Sequence, residues 1–423
     1  MRSPHVATRG RLKAPDRLAA SVPRPWRWPI VGGLLAVALA YAFWSLHARV
    51  RPWNDFAFVY AAGRTWLEGL SPYDFDRWDA QWVAIRPADT VVSQPMSYMY
   101  PPHWGPLAVL LAEMPWAVAS RFWDGFSVVA YAATIALCVR LLGGRWPDAL
   151  RQPALWLFIA LATLNPSLRY SIWQSQMTTF TAFGVVGAYW AWHEKRLGWL
   201  VVFAFVAALK PQLSLLALLY LFLNGGHLGV ALAAIAALVV SAISMLPSGL
   251  ENLPGQYAHC YALHMQLVFN DPKNFSNLPA LFFSRSSQHA FMPVSTLLAV
   301  AAATGLTLAR RVDSRPFPVL ESPLWQLAIV AAITAALMPV HAYDLVIYTP
   351  VVILAYELRA SWIGALLVGL VLFAGRPGFV AAHLHLQQAS SYLTTAILLT
   401  LAVAVANRRR DPSVAVPAAE AAA

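Results

Sequence analysis

Long apolar runs recur along almost the whole chain, and they constrain its fold more than any other feature. With 59% hydrophobic residues, 12% charged residues and a mean hydropathy of +0.55, the chain differs from soluble domains, in which about a quarter of residues are charged. Several runs are shorter than the roughly 20 residues that a full bilayer crossing prefers. The sequence therefore predicts an all-α polytopic membrane protein with about twelve transmembrane helices. The apolar segments are residues 29–46, 116–142, 153–167, 172–192, 198–209, 211–223, 228–247, 291–309, 324–340, 344–357, 361–375 and 388–406.

The basic residues indicate how these segments are oriented. A formal net charge of +11 would suggest a nucleic-acid partner for a soluble domain, but here many basic residues lie beside the apolar segments. This is the pattern of the positive-inside rule, so we expect both termini in the cytoplasm, no nucleic-acid partner and a place in the bacterial cytoplasmic (inner) membrane. The basic residues on the predicted cytoplasmic side are Arg2, Arg9, Arg11, Lys13, Arg17, Arg24, Arg27, Arg140, Arg145, Arg151, Lys195, Arg196, Arg310, Arg311, Arg315, Arg359, Arg408, Arg409 and Arg410.

The same pattern divides the chain into a basic tail (1–28), a transmembrane domain (29–406) and a second, disordered cytoplasmic tail (407–423). The first apolar segment lacks a small-residue cleavage site, so we expect it to be retained as a helix. Two long external segments remain, 47–115 and 248–290. The first interleaves acids with tryptophans, which is typical of helices lying at the membrane surface.

Two steps of this topology are open. Residues 105–114 are interpreted as a short re-entrant segment, and the break at Ala208-Leu209-Lys210-Pro211 separates two helices or kinks one long helix. An error at either place reverses the predicted orientation of everything after it.

The motifs of common soluble enzymes are missing: the sequence contains no Walker loop, GxSxG or HExxH, and no GxGxxG after a strand. Metal-binding patterns are also weak. His259 and His264 are five positions apart, which does not place them on one helix face, and His383 and His385 fall in a predicted interfacial loop. We therefore expect no cofactor, with a divalent metal left open.

Asp55 is the residue most suggestive of chemistry. It follows the first apolar segment and begins an aromatic-rich helical pattern, and a carboxylate beside the bilayer is costly unless it is solvated, paired or used. The alternative is structural, since Asn54 or Asp55 would also serve as the N-cap of the next helix.

Other polar residues fall at the predicted outer ends or breaks of apolar segments, where they would line one outward-facing cavity. Lys210 precedes Pro211 between two apolar runs, so it must snorkel, pair or hold an anion such as a phosphate. His341 follows Pro339 and is either an interfacial histidine or a ligand-binding one. The full set is Asn165, Arg169, Gln174, Gln176, Lys210, Gln212, His341, Tyr343 and Asp344.

The first external segment resembles a known family. Three of its stretches are similar to the pattern D-F-x-x-Y-x-A-G-x…G-x-(D/S)-P-Y-D of glycosyltransferase family 87. They are Asn54-Asp55-Phe56, Tyr60-Ala61-Ala62-Gly63-Arg64 and Gly69-Leu70-Ser71-Pro72-Tyr73-Asp74. These are polyprenyl-phosphate-mannose-type mannosyltransferases of the GT-C superfamily.

Later elements follow in the order of that family. Tyr100-Pro101-Pro102, with the run to Met114-Pro115, resembles its Y-P-P…L-P element, and Gln174-Ser175-Gln176-Met177 resembles its G-Q-x-N helix start. Ala207-Ala208-Leu209-Lys210-Pro211 resembles its A-x-x-K-x-x-P segment, although here the proline follows the lysine directly. Met338-Pro339-Val340-His341-Ala342-Tyr343-Asp344 resembles its late S-P-x-S-W-x-H-x segment.

The resemblance implies a GT-C-like bundle with interfacial helices in a long first external loop. It also implies an inverting transfer of mannose or another hexose or pentose from a polyprenyl-phosphate donor to a lipid, glycan or protein acceptor at the outer face of the bilayer. In this interpretation Asp55 is the catalytic base. The donor phosphate is held by Lys210, Arg64, Arg169 and His341, and the sugar or acceptor by Tyr60, Tyr73, Gln176 and Asp344.

Two other classes share these features. A transporter of a polyprenyl-linked substrate is also a many-helix bundle, but the two halves of the chain show no obvious repeat and intramembrane carboxylates are scarce. A polysaccharide polymerase or ligase predicts an arginine pair in the late external loop, where this chain has Lys273 and Arg285.

Overall fold

A computed structural model describes residues 24–47, 55–85, 97–143, 146–312, 322–376 and 388–410. Within these ranges every regular element is a helix, so the predicted all-α class is confirmed. The basic N-terminal tail up to residue 23, His383, His385 and the C-terminal tail from residue 411 lie outside the described residues. The α-helices are α1 (Arg24–His47), α2 (Asp55–Leu67), α3 (Phe75–Ile85), α4 (Gly105–Ala112), α5 (Trp116–Arg140), α6 (Trp146–Leu150), α7 (Pro153–Thr163), α8 (Pro166–Trp173), α9 (Thr178–His193), α10 (Leu197–Ala207), α11 (Pro211–Leu221), α12 (His227–Met245), α13 (Leu253–Met265), α14 (Gln288–Val312), α15 (Pro323–Leu337), α16 (Thr349–Ala355), α17 (Trp362–Ala374) and α18 (Ala389–Arg410).

Short helical turns connect several of these helices. A π-helical turn, Phe222–Gly226, joins α11 to α12. The 3-10 turns are Pro102–Trp104, Leu246–Ser248, Val268–Asn270, Pro272–Asn274, Leu278–Leu281, Arg285–Ser287 and Ala342–Tyr348.

The molecule is a multi-pass membrane protein. Among the described residues, four helical stretches are long and apolar enough to cross a bilayer: Trp116–Arg140, Pro211–Ser248, Arg285–Arg311 and Ala389–Asn407. Shorter apolar helices lie between them, at Trp28–Tyr41, Pro153–Thr163, Leu197–Ala207, Pro323–Leu337, Ala342–Ala355 and Trp362–Ala374. The count of twelve crossings and the side on which each loop lies stay predictions.

Helix boundaries differ from the predicted segments where the backbone turns. The predicted segment 172–192 is broken, because α8 ends at Trp173 and α9 begins only at Thr178, with Ser175 between them at φ +48°. At Lys210, where the sequence left one kinked helix or two helices open, the structure has two helices: α10 ends at Ala207 and α11 begins at Pro211. A proline is well suited to this first position, because the nitrogen there needs no helical hydrogen bond.

The buried side chains form two main clusters. The larger one lies among α5, α9, α11, α15, α16 and α17 and consists mainly of alanine, leucine, valine and isoleucine. The second lies under the predicted first external segment and is dominated by aromatic rings, including Phe56, Trp78, Trp82, Trp104 and Trp123. The Trp123 ring stacks on Phe56 with centroids 4.9 Å apart, which fastens the start of α2 to α5.

Gly63 allows α2 and α4 to lie in direct backbone contact. A methyl group at this position would lie 2.1 Å from the carbonyl oxygen of Ala108 and 2.8 Å from the Ala112 methyl group. Backbone atoms cannot move aside as the end of a flexible side chain can, so the two helices would have to separate.

We expect Gly63→Ala to lower the free energy of unfolding by about 1–3 kcal/mol, the usual cost of overpacking. Thermal unfolding of the purified protein in detergent measures this. Gly125→Ala is the matched control, because a methyl group there meets nothing within 4 Å and alanine favours the helix by about 0.5–1 kcal/mol. Equal stability of the two variants would contradict the close contact.

Candidate active site

Asp55 is the first residue of α2, and its carboxylate is held by two side chains from distant segments. Its Oδ2 accepts hydrogen bonds from the Tyr100 hydroxyl at 2.9 Å and from Gln176 Nε2 at 2.5 Å. The Asp55 backbone N–H donates to the Gln174 carbonyl at 2.9 Å. The carboxylate is therefore oriented by tertiary contacts, beyond anything that a local N-cap requires.

Lys210 lies at the centre of the same network. Its Nζ is 2.5 Å from Asp344 Oδ1, and it also donates to Gln176 Oε1 at 3.2 Å and to Thr178 Oγ1 at 3.3 Å. The lysine and Asp344 side chains are 5% and 1% exposed, so this ion pair is almost completely buried. Of the three roles left open for this lysine, the geometry shows pairing and excludes snorkelling to the headgroups.

Asp344 is held by two further donors. The Thr178 hydroxyl donates to its Oδ1 at 2.6 Å, and the His341 backbone N–H donates to its Oδ2 at 3.0 Å. The Asp344 N–H in turn donates to the His341 carbonyl, which closes the first turn of Ala342–Tyr348. The network thus runs from Asp55 through Gln176 and Lys210 to Asp344 and joins four separate segments.

Aromatic rings form a wall beside the ion pair. The Tyr343 ring lies under Lys210 Nζ at 4.8 Å and next to the Tyr170 ring of α8. His341 stacks on Phe275 with centroids 4.3 Å apart, and its Nδ1 lies 3.2 Å from the Asn274 carbonyl, to which it can only donate. The predicted second external segment therefore reaches the site through Asn274 and Phe275.

Burial sets the protonation of the groups around Asp55. Removal from water raises the pKa of Asp55, while Lys210 and the hydrogen bonds of Tyr100 and Gln176 act in the opposite direction. Burial, followed by the charge of Asp55, raises the pKa of the Tyr100 phenol well above its usual value, so this hydroxyl stays protonated and donates. Burial also lowers the pKa of His341, which favours the neutral imidazole.

The structure brings together Asp55, Gln176, Lys210, His341 and Asp344 from the set of predicted site residues. The other four predicted site residues are Tyr60, Tyr73, Arg64 and Arg169. Tyr60 is buried and donates to the Met114 carbonyl at 2.7 Å, and the buried Tyr73 hydroxyl donates to the Tyr100 carbonyl. Tyr73 thus supports a residue that contacts Asp55.

The two predicted arginines lie on α2 and α8. Arg64 is exposed in the last turn of α2, and nine helical residues correspond to a rise of about 13 Å from Asp55. Arg169 is half-buried on α8, with its guanidinium 5.5 Å from the centroid of the Tyr41 ring. Their contact with a donor phosphate stays a prediction.

Sequence reasoning missed Tyr100, Thr178 and Asp124 as parts of this region. Tyr100 carried a signal in the Tyr100-Pro101-Pro102 element, whereas Thr178 lay inside a segment interpreted as one continuous helix. Asp124 was an acid in an apolar run, which is itself an indication of function in a membrane helix. The described residues contain no group of three or more His, Cys, Asp or Glu close enough to hold a metal ion.

The arrangement suits displacement at a carbon with an anionic leaving group. A carboxylate of raised pKa can accept a proton, and a buried ammonium can bind an anion nearby. Asp55 begins α2 and Lys210 precedes α11, so both groups lie at helix ends, and the break between α8 and α9 brings Gln176 to them.

Comparison with known proteins gives one family. The family model of glycosyltransferase family 87 matches residues 98–339, more than half of the chain. The matched range includes Tyr100, Gln176 and Lys210; it begins after Asp55 and ends two residues before His341. No curated protein and no solved structure matches the chain.

Proposed function

The chain belongs to glycosyltransferase family 87, and from this premise we propose that it moves a sugar from a polyprenyl-phosphate donor to a lipid, glycan or protein acceptor with inversion at the anomeric carbon. Membership of the family makes it a membrane glycosyltransferase. The donor, the direction of transfer and the residue roles that follow belong to the proposal, as does the GT-C type of hexosyl or pentosyl transfer.

One observation carries the catalytic part of the proposal. Asp55 lies outside the matched range, yet its carboxylate is bonded to Tyr100 and Gln176, which lie inside it. Through Gln176 it is connected to Lys210, also inside the range. The carboxylate is therefore part of the same polar site as residues that the family model covers.

Asp55 is the general base of the proposed reaction. The acceptor hydroxyl oxygen forms a bond to the anomeric carbon while the bond from that carbon to the phosphate oxygen breaks. The hydroxyl proton passes to the Asp55 carboxylate, and the bonding pair leaves with the polyprenyl phosphate. A single base is enough, because a phosphate needs cations or hydrogen bonds to leave and no proton.

Lys210 is the proposed cation for the leaving phosphate. It is paired with Asp344 and its charge also acts on Asp55, so a phosphate approaching it has to compete with Asp344. Asp344 and Gln176 are then available to sugar or acceptor hydroxyls, with the Tyr343 and His341 rings beside them. Arg64, Arg169, Tyr60 and Tyr73 have supporting roles, at the lipid phosphate and in the packing under Tyr100.

The proposed reaction takes place at the outer face of the bacterial cytoplasmic membrane. The positive-inside pattern supports cytoplasmic termini and places 47–115 and 248–290 outside, as parts of one transmembrane domain over 29–406.

Labelling of a single cysteine tests this orientation. Glu68→Cys adds a thiol at an exposed position just after α2, and native Cys138 and Cys260 are buried. A membrane-impermeant maleimide should label this variant in spheroplasts without permeabilisation. Labelling only after the membrane is opened would place Asp55 in the cytoplasm and remove the proposed access to an external acceptor.

Asp55→Asn should leave folding and donor binding intact and reduce transfer by roughly 10²- to 10⁴-fold, because it removes the proton acceptor and keeps the size of the side chain. Release of polyprenyl phosphate by the purified protein, measured with mannosyl, arabinosyl and glucosyl donors, provides the assay. Asp76→Asn is the control, an exposed acid of the same external segment.

The pH dependence of sugar transfer is a second test of the same variant. Because the pKa of Asp55 is raised, transfer by the wild type should fall on acidification at a pH above the ordinary range of an aspartate, about 3.9. The residual activity of Asp55→Asn should lack that acidic limb. Near-native transfer by a folded Asn variant would show that another group is the base.

Lys210→Gln should raise KM for the lipid donor by about 10-fold or more and change KM for the acceptor little, since charge-assisted hydrogen bonds contribute about 1.5–3 kcal/mol. Lys210→Arg keeps the charge and should retain part of the donor affinity. Lys273→Gln, a change at an exposed lysine of the second external segment, is the control. An unchanged donor KM in the Gln variant would indicate that Lys210 has a structural role and does not bind the donor.

A further inference from the structure

Two neighbouring residues of α5 hold Ser175 from both sides. Trp123 Nε1 donates to the Ser175 carbonyl at 2.9 Å, and the Ser175 hydroxyl donates to Asp124 Oδ1 at 2.9 Å. Trp123 and Asp124 are 2% and 8% exposed. Ser175 is therefore fastened to α5 through its backbone and through its side chain.

Ser175 needs such anchoring because of its backbone. Its φ of +48° is a left-handed conformation that non-glycine residues rarely adopt and that persists only when surrounding contacts determine it. This conformation turns the chain between α8 and α9. The Ser175 and Gln176 N–H groups also donate to the Ile172 and Ser171 carbonyls, and without the contacts to Trp123 and Asp124 the turn would be held less firmly.

The residues on either side of Ser175 both contact Asp55. The Gln174 carbonyl accepts from the Asp55 backbone N–H, and Gln176 Nε2 donates to the Asp55 carboxylate. A shift of residue 175 therefore moves two of the three groups that orient Asp55, the third being the Tyr100 hydroxyl. Trp123 adds a direct contact, because its ring stacks on Phe56, the residue after Asp55.

We propose that Asp124 is a positioning residue of the active site, which holds Gln174-Ser175-Gln176 in the conformation that orients the Asp55 carboxylate. This inference rests on the proposed function, in which Asp55 is the base. Asp124 does not itself reach Asp55 or the substrates; it acts through the Ser175 hydroxyl.

The setting of Asp124 argues for a specific role. It lies in Trp116–Arg140, one of the helices that are long and apolar enough to cross the membrane, where a carboxyl group is costly. In the described part of the chain, the ion pairs involve other acids, and the polar partner of Asp124 is the Ser175 hydroxyl. A carboxyl oxygen is a strong acceptor for that hydroxyl, whereas an apolar side chain would release it.

Asp124→Leu, made in the full-length protein, should lower kcat by roughly 10- to 100-fold, the scale that a displacement of about 1 Å costs a catalytic group. The donor KM should change little, because Lys210 keeps its ion pair with Asp344 and its hydrogen bond to Thr178. The acidic limb of the pH–rate profile should move to higher pH, since a displaced Gln176 no longer stabilises the ionised form of Asp55. Asp124→Asn retains an acceptor oxygen and should restore most of the activity and the position of the limb.

Ser175→Ala removes the donor of the same hydrogen bond and should reproduce the effects of Asp124→Leu, which keeps the test decisive if the leucine variant does not fold. Thr134→Val is the control: Thr134 is buried on the same helix and its hydroxyl donates to the Ala130 carbonyl of its own helix. It should leave kcat and the pH–rate profile unchanged.

The outcomes separate this inference from the proposed function. If Asp55→Asn is inactive while Asp124→Leu and Ser175→Ala change neither kcat nor the acidic limb, the positioning role is wrong and the base assignment stands. If Asp55→Asn is active, both fail. If the role is correct, Asp124→Leu should cause little further loss in the Asp55→Asn background, because both changes act on the same carboxylate.

Discussion

The buried ion pair between Lys210 and Asp344 is the interaction on which the candidate site depends. A charge removed from water needs a partner, and the loss of one member of a buried pair typically costs about 3–5 kcal/mol. Lys210 precedes α11 and Asp344 lies in the 3-10 turn before α16, so the pair fixes two distant breaks in the helical bundle against each other. Gln176 and Thr178 contact the same ammonium, which brings the α8–α9 connection to the same point.

The site is built where helices are interrupted. At membrane depth, non-helical backbone is tolerated when it is buried in protein or lines a cavity, because its N–H and C=O groups need partners there. Both interruptions satisfy this condition through tertiary bonds. The Gln174 carbonyl accepts from Asp55, the Ser175 carbonyl from Trp123, and the Leu209 carbonyl from Trp104 Nε1 at 3.2 Å. The aromatic cluster under the predicted first external segment therefore provides hydrogen-bond donors for these backbone carbonyls and also packs beside Asp55.

The sequence predicted the kind of fold and most of the polar residues, but it did not predict how they meet. Apolar composition sufficed for an all-α membrane protein, and the Lys210-Pro211 dipeptide marked a real break. Asp55, Gln176 and Asp344 were recognised because polar groups stand out in apolar surroundings. The break at Ser175 was missed, because it depends on a left-handed residue held by α5 and leaves no mark on the apolar pattern. Asp124 did stand out as an acid in an apolar run, but its role was not predictable because its partner, Ser175, lies in another segment.

In the proposed function, the hydrogen bonds of Asp344 would allow Lys210 to leave its ion pair and bind a phosphate. A polyprenyl-phosphate sugar carries a single negative charge on its phosphodiester, and in the proposed function this charge competes with Asp344 for Lys210. Asp344 keeps the Thr178 hydroxyl on Oδ1 and the His341 N–H on Oδ2 when the ammonium turns away. Its charge is then still hydrogen-bonded, so the exchange does not leave an unpartnered carboxylate in the protein interior. The same exchange would weaken the contact of Lys210 with Gln176. The Gln176 side chain would keep its hydrogen bond to Asp55, and the acceptor hydroxyl must reach Asp55 to be deprotonated.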